Sequence, residues 1–340
     1  MRQILILFFI LVAAASFLSS KNSEIVPLEL PPGRETAGIS PHYPVEIETF
    51  DSKKEHTYIR FDRMPERVLV YGVNTVETLL LFEQGAKIVA VTMKPTTEAY
   101  AELKGKYPEE FAKIQHITQQ ELGREQAVAY HPDFILGWKS TFLPVRYGNT
   151  EWWRARGINT YIIATSNHVV PHGTIEDECQ FLEDMGRIFD VREKAEKVIR
   201  EIHTELEYAA HDTVHGEAQN VMVVELTGNR IANYDDGWLI GDMVNRLGGQ
   251  MPVKSRTVGP EDLIAADPDV IFVVYFNLAQ MDKSTAFFKE PRFSSLRAVQ
   301  NGRVYMLPFA YMYATAVKTA EGLRIVKRGL YPERYGAVNE

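Results

Sequence analysis

Aromatic and cationic side chains recur at the ends of apolar runs in this chain: Tyr71, Met93 with Lys94, Trp138 with Lys139, Tyr275, and Tyr311 with Tyr313 and Lys318. Tyr234 and Trp238 flank Asp235-Asp236-Gly237, while Arg230 and His168 stand in polar loops that follow such runs. Residues of this kind offer flat apolar faces and positive charge. They suit non-covalent capture of a large, partly flat, partly anionic ligand better than a bare metal ion or a sugar. Tyr71, Trp138 and Tyr275 also fit a core. The period of two across Tyr311-Met312-Tyr313 turns one face of that run to a cleft and the other inward.

Signatures of covalent chemistry are missing. The chain has no G-x-S-x-G, H-E-x-x-H, G-x-G-x-x-G or G-x-x-x-x-G-K-[ST], and one cysteine excludes C-x-x-C. His168 and His172 have H-x3-H spacing, but Pro171 between them disfavours a shared helix face. They read as loop histidines, of which His168 is the candidate to touch ligand. Asp235-Asp236 beside Gly237 reads as a turn before a helix. Cys179 falls with Ile175, Leu182 and Met185 on the apolar side of a helix and reads as core. No metal site and no cofactor are expected.

The elements that must position these residues come twice. Arg67–Tyr71 and Asn220–Val224 are apolar strands, each followed by a glycine-bearing loop, a helix (75–84 and 239–247) and Gly85 or Gly248-Gly249. Asn74 with Glu77 reads as a capping box on the first of these helices. His131-Pro132-Asp133 and Asp267-Pro268-Asp269 each lead into another strand, and Gly157-Ile158 is echoed by Gly302-Arg303-Val304. Three echoes in one order predict two α/β lobes with parallel sheets covered on both faces. Ligands bind at the carboxyl ends of such strands, where the aromatics and cations fall. Between the lobes, 190–210 carries Val191, Ala195, Val198, Ile202, Leu206 and Ala209 at steps of three and four. This is one amphipathic helix about 30 Å long, with Asp190 and Glu193 as its capping box.

The chain has 340 residues, 45% hydrophobic, with a net charge of −8. That is long enough for two cores and too acidic for a generic nucleic-acid binder. Arg2 followed by the apolar run Ile4–Ala15 and Ala13-x-Ala15 reads as a secretory signal over 1–20. No other run approaches the length of a membrane span, and no cysteine follows the signal to take a lipid anchor. The mature chain is expected free in an exported compartment. A proline-bearing leader and a β-hairpin (45–50 and 57–61) fill 21–64, the first lobe 65–189, the linker 190–211 and the second lobe 212–340.

Pro65-Glu66-Arg67-Val68, Glu77, Gly85-Ala86-Lys87-Ile88-Val89, His131-Pro132-Asp133-Phe134-Ile135, Gly157-Ile158 and Ala298 to Tyr305 together resemble the substrate-binding proteins of ABC importers for iron-siderophore, heme and cobalamin. The resemblance covers roughly 45 to 335 and implies two Rossmann-like lobes joined by a long helix, with ligand held between them. It implies a periplasmic monomer that binds a ferric siderophore, does no chemistry, and hands it to an ABC permease with its ATPase. Two acids of this family meet permease arginines, here Glu261 and Glu151. Gly137–Phe142 and Tyr313–Thr319 are most similar to the siderophore-type members, which often carry Arg where this chain has Lys318; lysine keeps the charge but loses the fork. Cobalamin or heme would suit the same class, heme with His168 or a tyrosine as axial ligand. An exported enzyme acting on a metal complex or tetrapyrrole, and a sensor subunit, are the rivals from other classes.

Overall fold

The computed structural model describes residues 42–210, 218–228, 230–336 and 338. The expected export signal, the leader to residue 41 and the polar exit of the linker helix lie outside them. Among the described residues no helix is long and apolar enough to cross a membrane.

Strands β1 (Val45–Phe50) and β2 (His56–Phe61) form the expected antiparallel hairpin. Alternation buries Val45, Ile47, Ile59 and Phe61 on one face, and the Phe61 ring packs edge-on against Phe134, 5.1 Å away. The first sheet is wholly parallel, in the order β5 (Ile117–Thr118), β4 (Ile88–Thr92), β3 (Val68–Val70), β6 (Phe134–Gly137), β7 (Asn159–Ile162). Val68, Leu69 and Val70 are all fully buried, as a central strand covered on both faces requires. The chain runs outward from β3 to β4 and β5, then returns to β6 on the other side. The carboxyl ends of β3 and β6 therefore flank a topological switch point.

The second sheet repeats that core with β12 (Val270–Tyr275) between β8 (Gln219–Thr227) and β13 (Val304–Pro308), all parallel. It also departs from it. Where a loop was expected after Val224, β8 continues to Thr227 and returns antiparallel as β9 (Arg230–Tyr234), which β11 (Thr257–Val258) extends. Gly228 at φ 60° makes the turn. The short β10 (Gly249–Gln250) pairs with β8. The sequence echoes have physical causes. Asp133 accepts hydrogen bonds from the Glu66 and Arg67 amides, and Asp269 accepts one from the Asn220 amide, so each Pro-Asp ties a neighbouring strand start. Gly157 and Gly302, at φ 74° and 65°, turn the chain into the last strand of each sheet.

Helices of eight or more residues are numbered α1 (Val73–Leu81), α2 (Glu98–Lys106), α3 (Ile175–Ile188), α4 (Arg192–Ala210), α5 (Leu239–Arg246), α6 (Leu278–Phe288) and α7 (Thr319–Leu330). Between the two sheets the chain passes through α3 and α4 in succession, and α4 packs on α3 and α7. A Cβ on Gly186 of α3 would lie 2.7 Å from that of Ala195, so glycine permits the close approach. Two expected capping boxes are absent. Asp190 takes a left-handed φ of 52° and holds its carboxylate 3.2 Å from His42 Nδ1, while Val191 supplies the first carbonyl of α4. On α1 the N-cap is Gly72 with no side-chain cap, because Asn74 and Glu77 reach elsewhere.

Their targets lie in the segment after β13. Asn74 Nδ2 donates to the carbonyls of Ala310 (2.8 Å) and Ala314 (3.0 Å). Glu178 of α3, fully buried, accepts from the Thr165 hydroxyl and from the Ala316 amide. Ala314 and Ala316 sit at φ 42° and 48°, costly for residues with a Cβ. Burial, outweighing these hydrogen bonds, raises the Glu178 carboxyl from 4.5 to about 7. Between those values the folded protein holds a proton that the unfolded chain has released. The stabilisation is full below pH 4.5 and is lost as pH rises through about 7, a span worth about 3 kcal/mol. Urea denaturation of Glu178→Gln beside the parent should show this slope removed across pH 4.5–7; parallel profiles would contradict it.

Candidate ligand-binding site

The switch point of the first sheet places Tyr71, one residue past β3, beside Trp138, one residue past β6, with ring centroids 5.4 Å apart. Gly137 makes room, since a Cβ there would lie 2.9 Å from that of Tyr71. Trp138 meets Tyr313 at 5.3 Å and Phe309 at 6.4 Å, both from the segment after β13. Tyr313 stacks on Phe309 at 4.7 Å and meets Trp238 at 5.8 Å; Trp238 meets Tyr234 at 5.1 Å and the His168 ring at 4.0 Å. Phe276, past β12, continues the series 4.3 Å from Phe309. The result is one aromatic wall drawn from the strand ends of both sheets.

Polar groups fix the wall. The Tyr234 hydroxyl donates to Glu225 at 2.6 Å, and the Tyr313 hydroxyl accepts from the Asn167 amide at 2.6 Å. Asn167 and His168 both have positive φ, and Asn167 Oδ1 takes the Ser140 amide. Burial, then the nearby Arg256 and Lys54, lower the His168 pKa against the opposing charge of Asp235, which keeps the ring neutral near pH 7. Its Nε2, like Trp138 Nε1, is buried without a hydrogen-bond partner.

Arg146 went unnoticed in the sequence. Its guanidinium lies 4.9 Å from the Tyr71 ring, donates to the Tyr71 hydroxyl at 2.6 Å and stands 3.4 Å from Glu121. Burial raises the Tyr71 pKa, with Arg146 opposing and Glu121 assisting. Phe309 and Phe276 lie at the strand ends where the sequence puts the ligand, but only their tyrosine neighbours were singled out as contacts. Lys139 is half-buried beside Trp138, with its amide on Ser166 Oγ, and Lys94 is exposed past β4. Arg230 is exposed at the β8–β9 turn and makes no ring contact with the wall. Tyr275 is half-buried, with its pKa raised by burial and then by Glu98 of α2.

Three expected cleft residues lie elsewhere. Lys318 is 2% exposed; its Nζ is 3.0 Å from Glu77 Oε2 and is also bound by Glu102, so its charge is spent inside the protein. Burial opposes that charge, but the two carboxylates prevail and raise the pKa. Met93 is 5% exposed and belongs to the core; Tyr313 and Tyr234, 5% and 8% exposed, share that core and back the wall, leaving its face to half-buried Trp138, Trp238 and Phe309 and exposed Phe276. Phe309–Tyr311 forms a short 3-10 turn, which removes the period of two: Tyr313 joins the wall, whereas Tyr311 lies under Lys318 Nζ, 4.8 Å from its ring centroid. Cys179, 8% exposed, is core as expected. Asp235 accepts from the Gly237 amide in the expected turn.

Among the described residues no group of three His, Cys, Asp or Glu is placed to hold a metal ion. The wall can stack, hydrogen-bond and attract anions. The family model described as periplasmic binding protein matches residues 68–311, nearly the whole of both sheets. The chain belongs to the periplasmic binding protein family. This family consists of solute-binding proteins of ABC transport rather than enzymes, so the expectation of a two-lobed binder holds and the enzyme rival falls. A periplasmic binding protein from Veillonella parvula is similar over 86% of this chain and 93% of its own, at 26% identity and a TM-score of 0.77. An ABC-type Fe3+-hydroxamate transport protein from Saccharomonospora viridis shares the fold at 21% identity, over 85% of this chain and 99% of its own, with a TM-score of 0.66. A periplasmic heme-binding protein, BhuT, in complex with two hemes shares it at 18% identity, over 78% and 97%, with a TM-score of 0.59. No curated protein matches.

In this periplasmic binding protein the two acids expected to face a permease differ in state. Glu261 is exposed at the start of the Pro260–Ala266 helix, whereas Glu151 bonds the Ser52 hydroxyl and stands 3.2 Å from Lys53 Nζ. Burial raises the Glu151 pKa, but the backbone bond, Lys53 and Ser52 together hold it below the usual carboxylate value.

Lys318→Ala leaves Glu77 buried with Lys106 and Tyr107 as its remaining partners among the described residues. It should destabilise the protein by about 3 kcal/mol in urea unfolding. A change below about 0.5 kcal/mol would show that Lys318 is not the fixed internal charge described.

Proposed function

We propose that this protein captures a ferric chelate of the siderophore type between its lobes and delivers it to the permease of an ABC importer, with residues 1–20 as its export signal and 190–211 as the linker. The observation that carries this reading is the aromatic wall across both lobes, with Arg146 on Tyr71 and Lys139 beside Trp138. Flat rings match the organic shell of a chelate, and the cations match the negative charge of catecholate or carboxylate arms. The Fe3+-hydroxamate protein of the same fold supports the ligand class. Heme is the second reading. It is favoured by His168, whose neutral ring and unpartnered Nε2 adjoin Trp238, and by the heme-binding neighbour.

Trp138 and Trp238 stand in the wall, so tryptophan fluorescence reports on it. Titration with ferric enterobactin, ferrioxamine B, heme and cobalamin should give saturable quenching by a ferric chelate, weakened about tenfold by Arg146→Ala or Lys139→Ala. Quenching by heme alone, lost in His168→Ala, would replace the ligand; silence towards all four would sink both readings.

For docking, Glu261 is the acid free to meet a permease arginine, while Glu151 is already neutralised by Lys53. In proteoliposomes holding the cognate permease and ATPase, Glu261→Ala should cut uptake about tenfold and Glu151→Ala by less than twofold. Equal losses would count against this assignment.

A further inference from the structure

A groove of about 990 Å3 lies beyond the aromatic wall, between the carboxyl end of β8 and the face of α6. Leu226, Ala279 and Phe287 line it, and Phe276, 51% exposed, belongs both to it and to the wall. Gln280 crosses between its sides, its Nε2 donating to the Leu226 carbonyl at 3.4 Å. Ser284 also lines it, and that side chain is fully buried with an Oγ that has no hydrogen-bond partner. A buried hydroxyl left unpaired is costly, and this one lies behind the lining surface, out of reach of solvent. Lys283, exposed on the same lining, has no carboxylate within ion-pair distance among the described residues.

We propose that this groove is a subsite for an apolar arm of the captured ligand, an acyl chain or aryl group laid along Leu226, Phe276, Ala279 and Phe287. The proposal rests on the ligand-binding reading above and narrows it to chelates that carry such an arm. Three features choose a small-molecule arm as the occupant. The groove joins the wall through Phe276, so one ligand can span both. Its volume is that of a small-molecule site of roughly 300–1,000 Å3. Its lining sets Leu226, Phe276, Ala279 and Phe287 among polar residues such as Asn277, Gln280 and Lys283, which suits an apolar arm that carries polar groups.

The test compares N-acetyl and N-decanoyl ferrioxamine B, which share core and charge and differ in arm length, by calorimetric titration of the full chain. The parent protein should bind the decanoyl form at least about tenfold more tightly. Ala279→Trp, on an exposed helix position and checked for an unchanged melting temperature, should bring the two affinities together. Equal binding of both chelates by the parent, or a preference that survives Ala279→Trp, would overturn the subsite. Should neither chelate bind, the ferric-hydroxamate reading fails by itself, and 1-anilinonaphthalene-8-sulfonate then judges the groove. Its emission should brighten with the parent and not with Ala279→Trp; no brightening, or equal brightening, overturns the proposal.

Discussion

Buried polar groups that find their partners across the lobes are the constraint on which this structure turns. Asn74, Glu77 and Glu178 are each less than 5% exposed, and each reaches the segment between Ala310 and Lys318. Burying such groups unpaired would cost several kcal/mol, so the segment must run where it does. It does so at the expense of left-handed backbone at Ala314 and Ala316. Because that path is fixed, Phe309 and Tyr313 are held against Trp138, and the wall exists only when the lobes meet.

The same economy explains where the protein's charge goes. Lys318 and Glu77 pair inside the junction, with the half-exposed Lys106 and Glu102 at its edge. Arg324, Lys327 and Glu205 form a cluster between α7 and α4, where burial raises the Glu205 pKa but the two cations bring it below its ordinary value. Arg146 stands at the wall, its charge shared with Glu121 and directed over Tyr71. Charges committed to holding the lobes together are lost to the ligand, and the wall's attraction for anions rests on the few that remain.

Much of the fold was legible because it is written in periods. The apolar runs of β3, β6, β8 and β12, the alternating hairpin and the three- and four-residue steps of α4 all fix which face is buried before any contact is known. The paired Pro-Asp signals and the glycines Gly157 and Gly302 were legible too, since each performs a local task. The β9 strand was not, for Arg230–Tyr234 is short and its partner is the end of β8, read as a loop. Nor were the destinations of long polar side chains. Asn74 and Glu77 have the spacing of a capping box, yet partners more than 200 residues away took them. Lys318 was misjudged for the same reason, and Arg146 was overlooked because nothing in its neighbours reveals that Tyr71 lies beside it.

The turn at Asn167 and His168 gives the wall a mechanical character. Two successive residues with side chains hold left-handed backbone there, with the Tyr313 hydroxyl of the opposite lobe fastened to the first amide. Pulling the lobes apart would break that bond, while the Ser140 amide on the Asn167 carboxamide and Lys54 on the His168 carbonyl would still hold the turn. The costly backbone thus belongs to the first lobe alone, a preset latch plate rather than a contact made on meeting.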